Sequence, residues 1–409
     1  YKIMSAIGNR QYFVIKPINS SPDGFGHNSG LSQIKFSLSN QNKVVESLRL
    51  VGEFYSYNGA GAHIGKANGV AGAAVYDYNT PRKAGLNGMF STITISSKTQ
   101  GRVIERVNNI HRLASTVNTS LNSQEDMDCD IMGWAVNNQK VAERLGLIGQ
   151  PFMLNLPMGL LNSGSDVLDL SNNGFAGLNI TLSMNTDSTI YGGTDANTNK
   201  PYAVVKQVSL VGVWRNVDSD SKGRVIPFNT YSSYFNVLNS SNESVSTTLG
   251  LSNVTGMFAN FLATSNSSSY TAECDDLTQL DNLNRVTFGK GGKLRPNSYR
   301  VRPVPSVDNQ GTSNQVLRQY NASLKPFNDI RHSNVNLQST ISDTNGENSG
   351  VGVRYTTTGG SGESFQNSVF QVTLESDLGT SSNVPTGMYS FFVNQNVVGV
   401  RGGQVAVES

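Results

Sequence analysis

Apolar and polar residues alternate in short runs along this chain, and the pattern starts afresh near its middle. In Ile34-Lys-Phe-Ser-Leu38 the residues Ile34, Phe36 and Leu38 fall on one face, as in a half-buried strand. Leu48 to Tyr57 follows, then Phe90 to Ser96, where Ile93 and Ile95 share a side. Phe152 to Leu156 and Leu178 to Met184 continue the series, and Ala203 to Trp214 closes the half. The β-branched density of that last run predicts burial on both faces. The second half offers Tyr231 to Leu238, Val245 to Leu249, Val254 to Leu262, Arg285 to Phe288, Val301 to Val304, Asn334 to Ile341 and Val351 to Tyr355. Ser368 to Leu374, Met388 to Val393, Val397 to Val400 and Gln404 to Val407 complete it. Many strands at this close spacing, with few helices, predict an all-β protein built of sandwiches.

The period changes to three and four in a few places. Val103, Val107, Ile110, Leu113, Ala114, Val117 and Leu121 form one stripe and predict a helix over 102–121. A shorter helix is expected over Asn137 to Leu145, capped by Asn137 or Asn138 and stopped by Gly146. A helical turn is expected over Leu277 to Leu283. Strand–helix alternation of the kind that builds a parallel sheet is missing, which argues against Rossmann-like and TIM-barrel folds. Asp218-Ser-Asp-Ser-Lys-Gly223 is short, polar and ends in glycine, so it reads as a linker between domains 1–217 and 224–409.

Composition fits this picture. The 409 residues suffice for two domains of about 200 each. Only 15% are charged and 41 are glycine, with Asn, Ser and Thr abundant, so turns and loops are plentiful. Aromatic and β-branched residues are too many, and charges too few, for a disordered polymer. A formal net charge of +2 gives no strong field toward nucleic acid or an anionic membrane. Cys129 and Cys274 are the only cysteines and make no disulfide framework. No apolar run reaches the roughly 18 residues needed to span a bilayer, and Tyr1-Lys-Ile-Met does not open like a signal peptide. Asn-x-Ser/Thr triplets at Asn118, Asn179, Asn239, Asn242, Asn253, Asn266 and Asn321 are what this composition produces by chance.

The candidate chemistry is thin. His27, His63, His111 and His332 are scattered without metal spacing. The glycine-rich stretch 59–72 lacks the helix that a dinucleotide fingerprint needs after its last glycine. Glu125-Asp-Met-Asp-Cys-Asp130 could gather oxygens, but Asp169-Leu-Ser-Asn-Asn-Gly174 has Ile180 where a calcium loop needs glutamate, and Lys222 spoils Asp218 and Asp220. These segments are expected to be polar turns. Lys290, Lys293, Arg295, Arg300 and Arg302 surround Tyr299 in a basic stretch; without global positive charge this favours subunit contact or a solvated loop over nucleic acid. No GxSxG elbow is present. Catalytic residues, cofactor ligands and metal ligands are therefore all expected to be none.

Pro227-Phe-Asn-Thr-Tyr-Ser-Ser-Tyr234, Thr248 to Phe261 and Asn284-Arg-Val-Thr-Phe288 resemble the opening of the second roll of the double jelly-roll major capsid proteins of polinton-like viruses, virophages and related DNA viruses. Phe391 to Val407 is similar to that family's final strand pair, and the helix expected over 102–121 matches one placed inside its first roll. The resemblance covers the whole chain in order and size. It implies two consecutive eight-stranded jelly-roll sandwiches and no catalytic residues. It also implies a homotrimer acting as a pseudo-hexameric capsomer. That capsomer would contact neighbouring capsomers, penton and minor or cement proteins in a virion assembled inside the host cell. Specific nucleic-acid binding is not expected. Loops 59–79 and 263–283 become candidates for interlocking arms or the outer surface. The alternative is a carbohydrate- or receptor-binding fibre or adhesin, for which Tyr55, Tyr57, Tyr76 and Tyr78 beside the glycine loop are the nearest thing to an aromatic site. A glycan-cleaving sandwich would need two facing carboxylates, which a sequence cannot place.

Overall fold

The computed structural model describes residues 10–57 (without 29 and 40–42), 59, 61, 85–119 (without 99), 150–161, 170, 177–190, 202–216, 225–262 (without 240–242), 277–278, 283–294, 299–300, 350–355, 362–376, 387–401 and 404–408. In the first half eight strands run in the order β1 (Arg10–Ile15), β2 (Gln33–Ser39), β3 (Lys43–Tyr57), β4 (Phe90–Ser97), β5 (Val103–Asn108), β6 (Gln150–Asn155), β7 (Gly177–Met184) and β8 (Tyr202–Asn216). They pair antiparallel as two four-stranded sheets, β1-β8-β3-β6 and β2-β7-β4-β5. That interleaving, in which successive strands keep crossing between two facing sheets, is a jelly roll.

The second half repeats the plan. Its strands are β9 (Ile226–Val237), β10 (Glu243–Leu249), β11 (Val254–Leu262), β12 (Leu277–Thr278), β13 (Leu283–Lys290), β14 (Lys293–Leu294), β15 (Tyr299–Arg300), β16 (Gly350–Arg354), β17 (Ser368–Ser376), β18 (Gly387–Arg401) and β19 (Gln404–Glu408). One sheet runs β9-β18-β11-β16 and the other β10-β17-β13, with β15 on the far side of β13. Strand for strand this matches the first half, and β12, β14 and β19 are short additions at strand ends. Two eight-stranded rolls are thus present in one chain.

Each roll has its own core. Ile34, Phe36 and Leu38 of β2 are fully buried and pair across to Leu182, Ile180 and Leu178 of β7. They belong to one cluster with Leu48, Leu50, Phe54, Leu154 and Leu210 from the opposite sheet. In the second roll Val286, Phe288, Phe370 and Val372 cluster with Met257, Phe261, Val353 and Phe392. Phe370 stands edge-on to both Phe365 and Phe392, with ring centroids 5.9 and 4.9 Å apart, an arrangement that ring quadrupoles favour.

Several local expectations change. The helix expected over 102–121 is a strand, β5, followed by α1 (Ile110–Thr119). Val103-Ile-Glu-Arg-Val107 is β-branched and pairs with β4, while Asn109 at φ 55° breaks the chain direction and its carbonyl accepts from the N–H of Arg112 and Leu113. Only from that point does the 3.6-residue period apply. Met388 to Val393 and Val397 to Val400 are one strand, because Asn394, Gln395 and Asn396 between them pair with β9 throughout. Leu277–Thr278, expected to start a helical turn, is instead a strand pairing with β11. β9 begins at Ile226, before the expected Tyr231, and β1 was not anticipated. On β8, burial on both faces holds for Ala203 to Val205 and Val208 to Leu210, whereas Val211 to Arg215 are half-exposed. The expected helix at 137–145, the strands at 301–304 and 334–341, the linker 218–223, Cys129 and Cys274 lie outside the described residues.

Candidate assembly surfaces

A two-sheet sandwich buries one face of each sheet, but the β9-β18-β11-β16 sheet also buries part of its second face, with Phe235 and Val237 at the end of β9 left exposed. Met257, Ala259 and Phe261 of β11 point into the second core, while Phe258 between them joins the first roll's cluster. Tyr231 on β9 and Phe391 and Val393 on β18 join it as well. Their rings interlock: Phe258 stacks on Phe391 at 5.1 Å and meets Tyr231 edge-on at 6.3 Å. The same cluster contains Ile104 and Val107 of β5 and Ile110 and Leu113 of α1. The two rolls therefore share one apolar seam rather than a polar linker contact.

Polar groups stitch this seam. Asn109 Nδ2 donates to Ser233 Oγ at 3.0 Å, and that hydroxyl donates to the Asn108 carbonyl at 3.3 Å. The Arg112 guanidinium lies 5.5 Å above the Tyr389 ring, a favourable seat for a buried cation. His111 is buried beside it, and burial together with the Arg112 charge holds its pKa well below the usual histidine range. A histidine so placed stays neutral.

Glu105 is the least expected residue here. It sits on β5 at 3% exposure and its carboxylate accepts the N–H of Gly159 at 2.8 Å and of Leu160 at 2.9 Å. Burial pushes its pKa up to about 7, against the opposing pull of the Leu160 N–H, the Thr230 side chain and the Gly159 N–H. Gly159 lies against the second roll: a Cβ there would come within 1.6 Å of the Asn229 carbonyl oxygen. Because the folded pKa exceeds the unfolded value, the native protein holds a proton that the unfolded chain releases between about pH 4.5 and 7. Glu105 is therefore expected to lower stability by about 3 kcal/mol as pH rises through that window, with no further loss above it. Denaturant titrations across that range should show a Glu105→Gln variant lacking this slope, whatever constant offset the lost acceptor introduces. An unchanged slope would assign the titration elsewhere.

Two other surfaces stand out, both on the outer face of the β1-β8-β3-β6 sheet. Tyr12 and Val14 of β1 are 90% and 64% exposed and pair with Val213 and Val211 of β8. Arg10 and Arg215 both reach Glu46 at their margin, at 2.8 and 3.4 Å. Farther along the same face, where β3 ends and β8 begins, Tyr55, Tyr57 and Tyr202 form a row. Tyr57 lies opposite Tyr202 with ring centroids 5.3 Å apart and planes within 16°, and Tyr55 follows at 6.3 Å and 12°. Lys206 Nζ hangs 5.1 Å over Tyr55 and 5.9 Å over Tyr57. The Tyr55 hydroxyl donates to Glu53 at 2.7 Å, a bond that raises the phenol's pKa.

The residues flagged in the sequence scatter. His27 is exposed near buried Asp187, which accepts from Asn28 Nδ2 at 2.6 Å and from the Ala203 N–H at 2.9 Å. Lys290 is tied to Glu363 at 3.7 Å and lies 4.9 Å over Phe365, so it serves the second roll's own packing. Asn253 is structural too, its Nδ2 donating to the Gln395 carbonyl and its Oδ1 accepting the Gly362 N–H. Tyr55 and Tyr57 are brought together as an aromatic group, with Tyr202 as the unforeseen third member. His63, His332, Tyr76, Tyr78, the glycine stretch from 62, the acidic segments 125–130 and 218–223, and Arg295 and Arg302 lie outside the described residues. Glu105, Gly159, Tyr12, Val14 and Lys206 carried no motif; only the lone carboxylate inside Val103 to Val107 was a readable signal.

No protein-family model matches the chain, nor does any curated protein sequence. Solved structures do. VP54 of PBCV-1, fitted into a reconstruction of the virophage Sputnik, aligns with a TM-score of 0.59 at 11% identity over 98% of this chain and 97% of that one. The Faustovirus major capsid protein aligns with a TM-score of 0.56 at 11% identity over 96% and 90%. The mavirus major capsid protein gives 0.52 at 12% identity over 97% and 90%. The chain thus has the double jelly-roll fold that these capsid proteins have.

Proposed function

We propose that the protein is a structural major capsid protein, not an enzyme, which closes with two further copies into a pseudo-hexameric ring. One observation carries this reading: the two rolls have equivalent sheets, and among the described residues one of them is covered by the other roll while its counterpart is not. In the second roll the outward face of β9-β18-β11-β16 is covered by the first roll around Tyr231, Phe258, Phe391 and Val393. The equivalent face of the first roll, on β1-β8-β3-β6, presents Tyr12, Val14, Val211 and Val213 to solvent. A second copy's second roll, docking there as the first roll docks within the chain, would repeat the seam. Contacts of this head-to-tail kind close as rings, and three copies supply six rolls. Such rings tile a virion shell through neighbouring capsomers, with penton and minor or cement proteins completing it inside the host cell. The rolls are taken to divide at 218–223, giving domains 1–217 and 224–409.

Native mass spectrometry tests this directly. The expected species is a trimer of three 44.0 kDa chains, about 132 kDa. Replacing both Tyr12 and Val14 by lysine places two cations in the apolar face and should shift the species to monomer, while intrachain stability changes little because both side chains are exposed. A monomeric parent protein would remove the ring, and an intact trimer in the double variant would move the contact elsewhere.

A further inference from the structure

We propose that one end of the molecule, where the hairpins β4–β5 and β13–β14 turn, is a basic platform that rests on an anionic phospholipid surface. This goes beyond the shell-forming role and does not depend on it. The two hairpins are equivalent in the two rolls: β4 turns to β5 through residues 98–102, and β13 turns to β14 through Gly291 and Gly292. β5 and β9 lie side by side across the seam, Asn108 meeting Ser233 and Glu105 meeting Thr230, so they run in the same direction. β9 and β11 are both antiparallel to β18 and share that direction too. Lys290, which closes the second hairpin, reaches Glu363, and Glu363 is bonded twice to Val254 where β11 begins. Both hairpins therefore turn at the end from which β5, β9 and β11 start.

These hairpins carry cations and no carboxylate. Lys98 and Arg102 stand on the first, Lys290 and Lys293 on the second. Lys98 and Arg102 are exposed, as is Arg354 near the same end of β16. No carboxylate pairs with Lys98 or Arg354 among the described residues. Glu46 and Glu363, the carboxylates described at this end, are already held, Glu46 by Arg10 and Arg215 and Glu363 by Lys290. At the opposite end the charges are matched: Lys206 stands opposite Glu53, and Arg285 reaches Glu375 at 3.6 Å. A formal net charge of +2 thus conceals a molecule whose positive charge gathers at one end.

The tips are open and firmly built. A Cβ on Gly101, Gly291 or Gly292 would find no atom within 4 Å, so nothing in the chain covers them. Ser97 N–H donates to the Arg102 carbonyl at 2.9 Å, and Gly291 N–H donates to the Val369 carbonyl at 3.0 Å. Val103 beside Arg102 and Val225 before β9 are 50% and 56% exposed at the same end. Aliphatic groups next to cations suit the boundary between headgroups and acyl chains, where each cation adds its own increment of attraction. A nucleic-acid strand fits poorly, since it needs a continuous cationic track with aromatic rings for its bases, and neither hairpin holds an aromatic residue. Separate prongs reaching one plane match a surface instead.

The test is co-flotation of the full chain with vesicles of phosphatidylcholine alone or of phosphatidylcholine mixed with phosphatidylserine, with a duplex DNA as the competing probe. The serine-containing vesicles should bind at least about tenfold more tightly than the neutral ones, and about 0.5 M salt should release the protein. Lys98→Glu and Arg354→Glu should each weaken binding about tenfold, and Lys98→Gln about fivefold. Lys16→Glu makes the same change of charge at an exposed residue of the opposite end and should leave binding as in the parent. Equal binding to both vesicles, an equal loss from Lys16→Glu and Lys98→Glu, or tighter capture of the DNA overturns the proposal. Native mass on the same samples separates the two readings. A trimer that ignores anionic vesicles refutes only this platform, and a vesicle-binding monomer refutes only the ring.

Discussion

Replacing Gly159 by alanine is expected to destabilise the protein by about 3–5 kcal/mol, an unusually large effect for one added methyl group. The new Cβ would stand 1.6 Å from the Asn229 carbonyl oxygen and 2.7 Å from its carbon. The obstacle is backbone of a sheet strand paired with β18, not the free end of a side chain, so relief requires moving one roll against the other. Gly159 does not have a positive φ, so alanine suits its backbone and the penalty is steric. Relief by shifting residues 159–160 would break the N–H contacts that hold the buried Glu105 carboxylate. Equilibrium unfolding in denaturant measures the loss. A change below about 1 kcal/mol would mean that the seam yields easily and does not fix the two rolls together.

Truncating Phe36 to alanine should cost about 3–5 kcal/mol for a different reason. Its ring is fully buried, paired with Ile180 across the sheet, with Ile95 beyond on the next strand. The space left is walled by two sheets whose backbones are locked by their ladders, so little collapse can fill it. The same denaturant experiment reads it, and the slope with denaturant should stay unchanged if the native fold is kept. A loss under about 1 kcal/mol would place Phe36 on the wrong face of β2.

These two residues also show what a sequence displays and what it hides. Phe36 was legible because strand periodicity is local: Ile34, Phe36 and Leu38 need only their neighbours to declare a face. Most of the strands and the doubling of the plan were readable for that reason. Gly159 was not readable, because its importance comes from Asn229, which is near in space and distant along the chain. The helix expected over 102–121 failed at its first half for a related cause. Val103 and Val107 satisfy a four-residue spacing by accident: a register shift between the Ile95–Glu105 and Ser96–Val103 pairs leaves Val103 50% exposed, while Ile104 and Val107 are buried. Asn394 to Asn396 read as a break because they are polar, yet pairing with β9 carries β18 straight through them. The tyrosine row was half visible: Tyr55 and Tyr57 stand two apart on one strand, but Tyr202 and Lys206 arrive from β8.

The seam between the rolls also sets a timetable. Phe391 and Val393 belong to β18, near the end of the chain, and with Tyr231 and Phe258 they fill the space against α1 and β5. While the protein is being synthesised, the first roll can complete its own strands as soon as β8 emerges. Its oily flank then waits for almost the whole remaining chain before its permanent neighbour exists. A nascent chain stalled before residue 387 is therefore a sticky object, and chaperone occupancy should peak in that interval of translation.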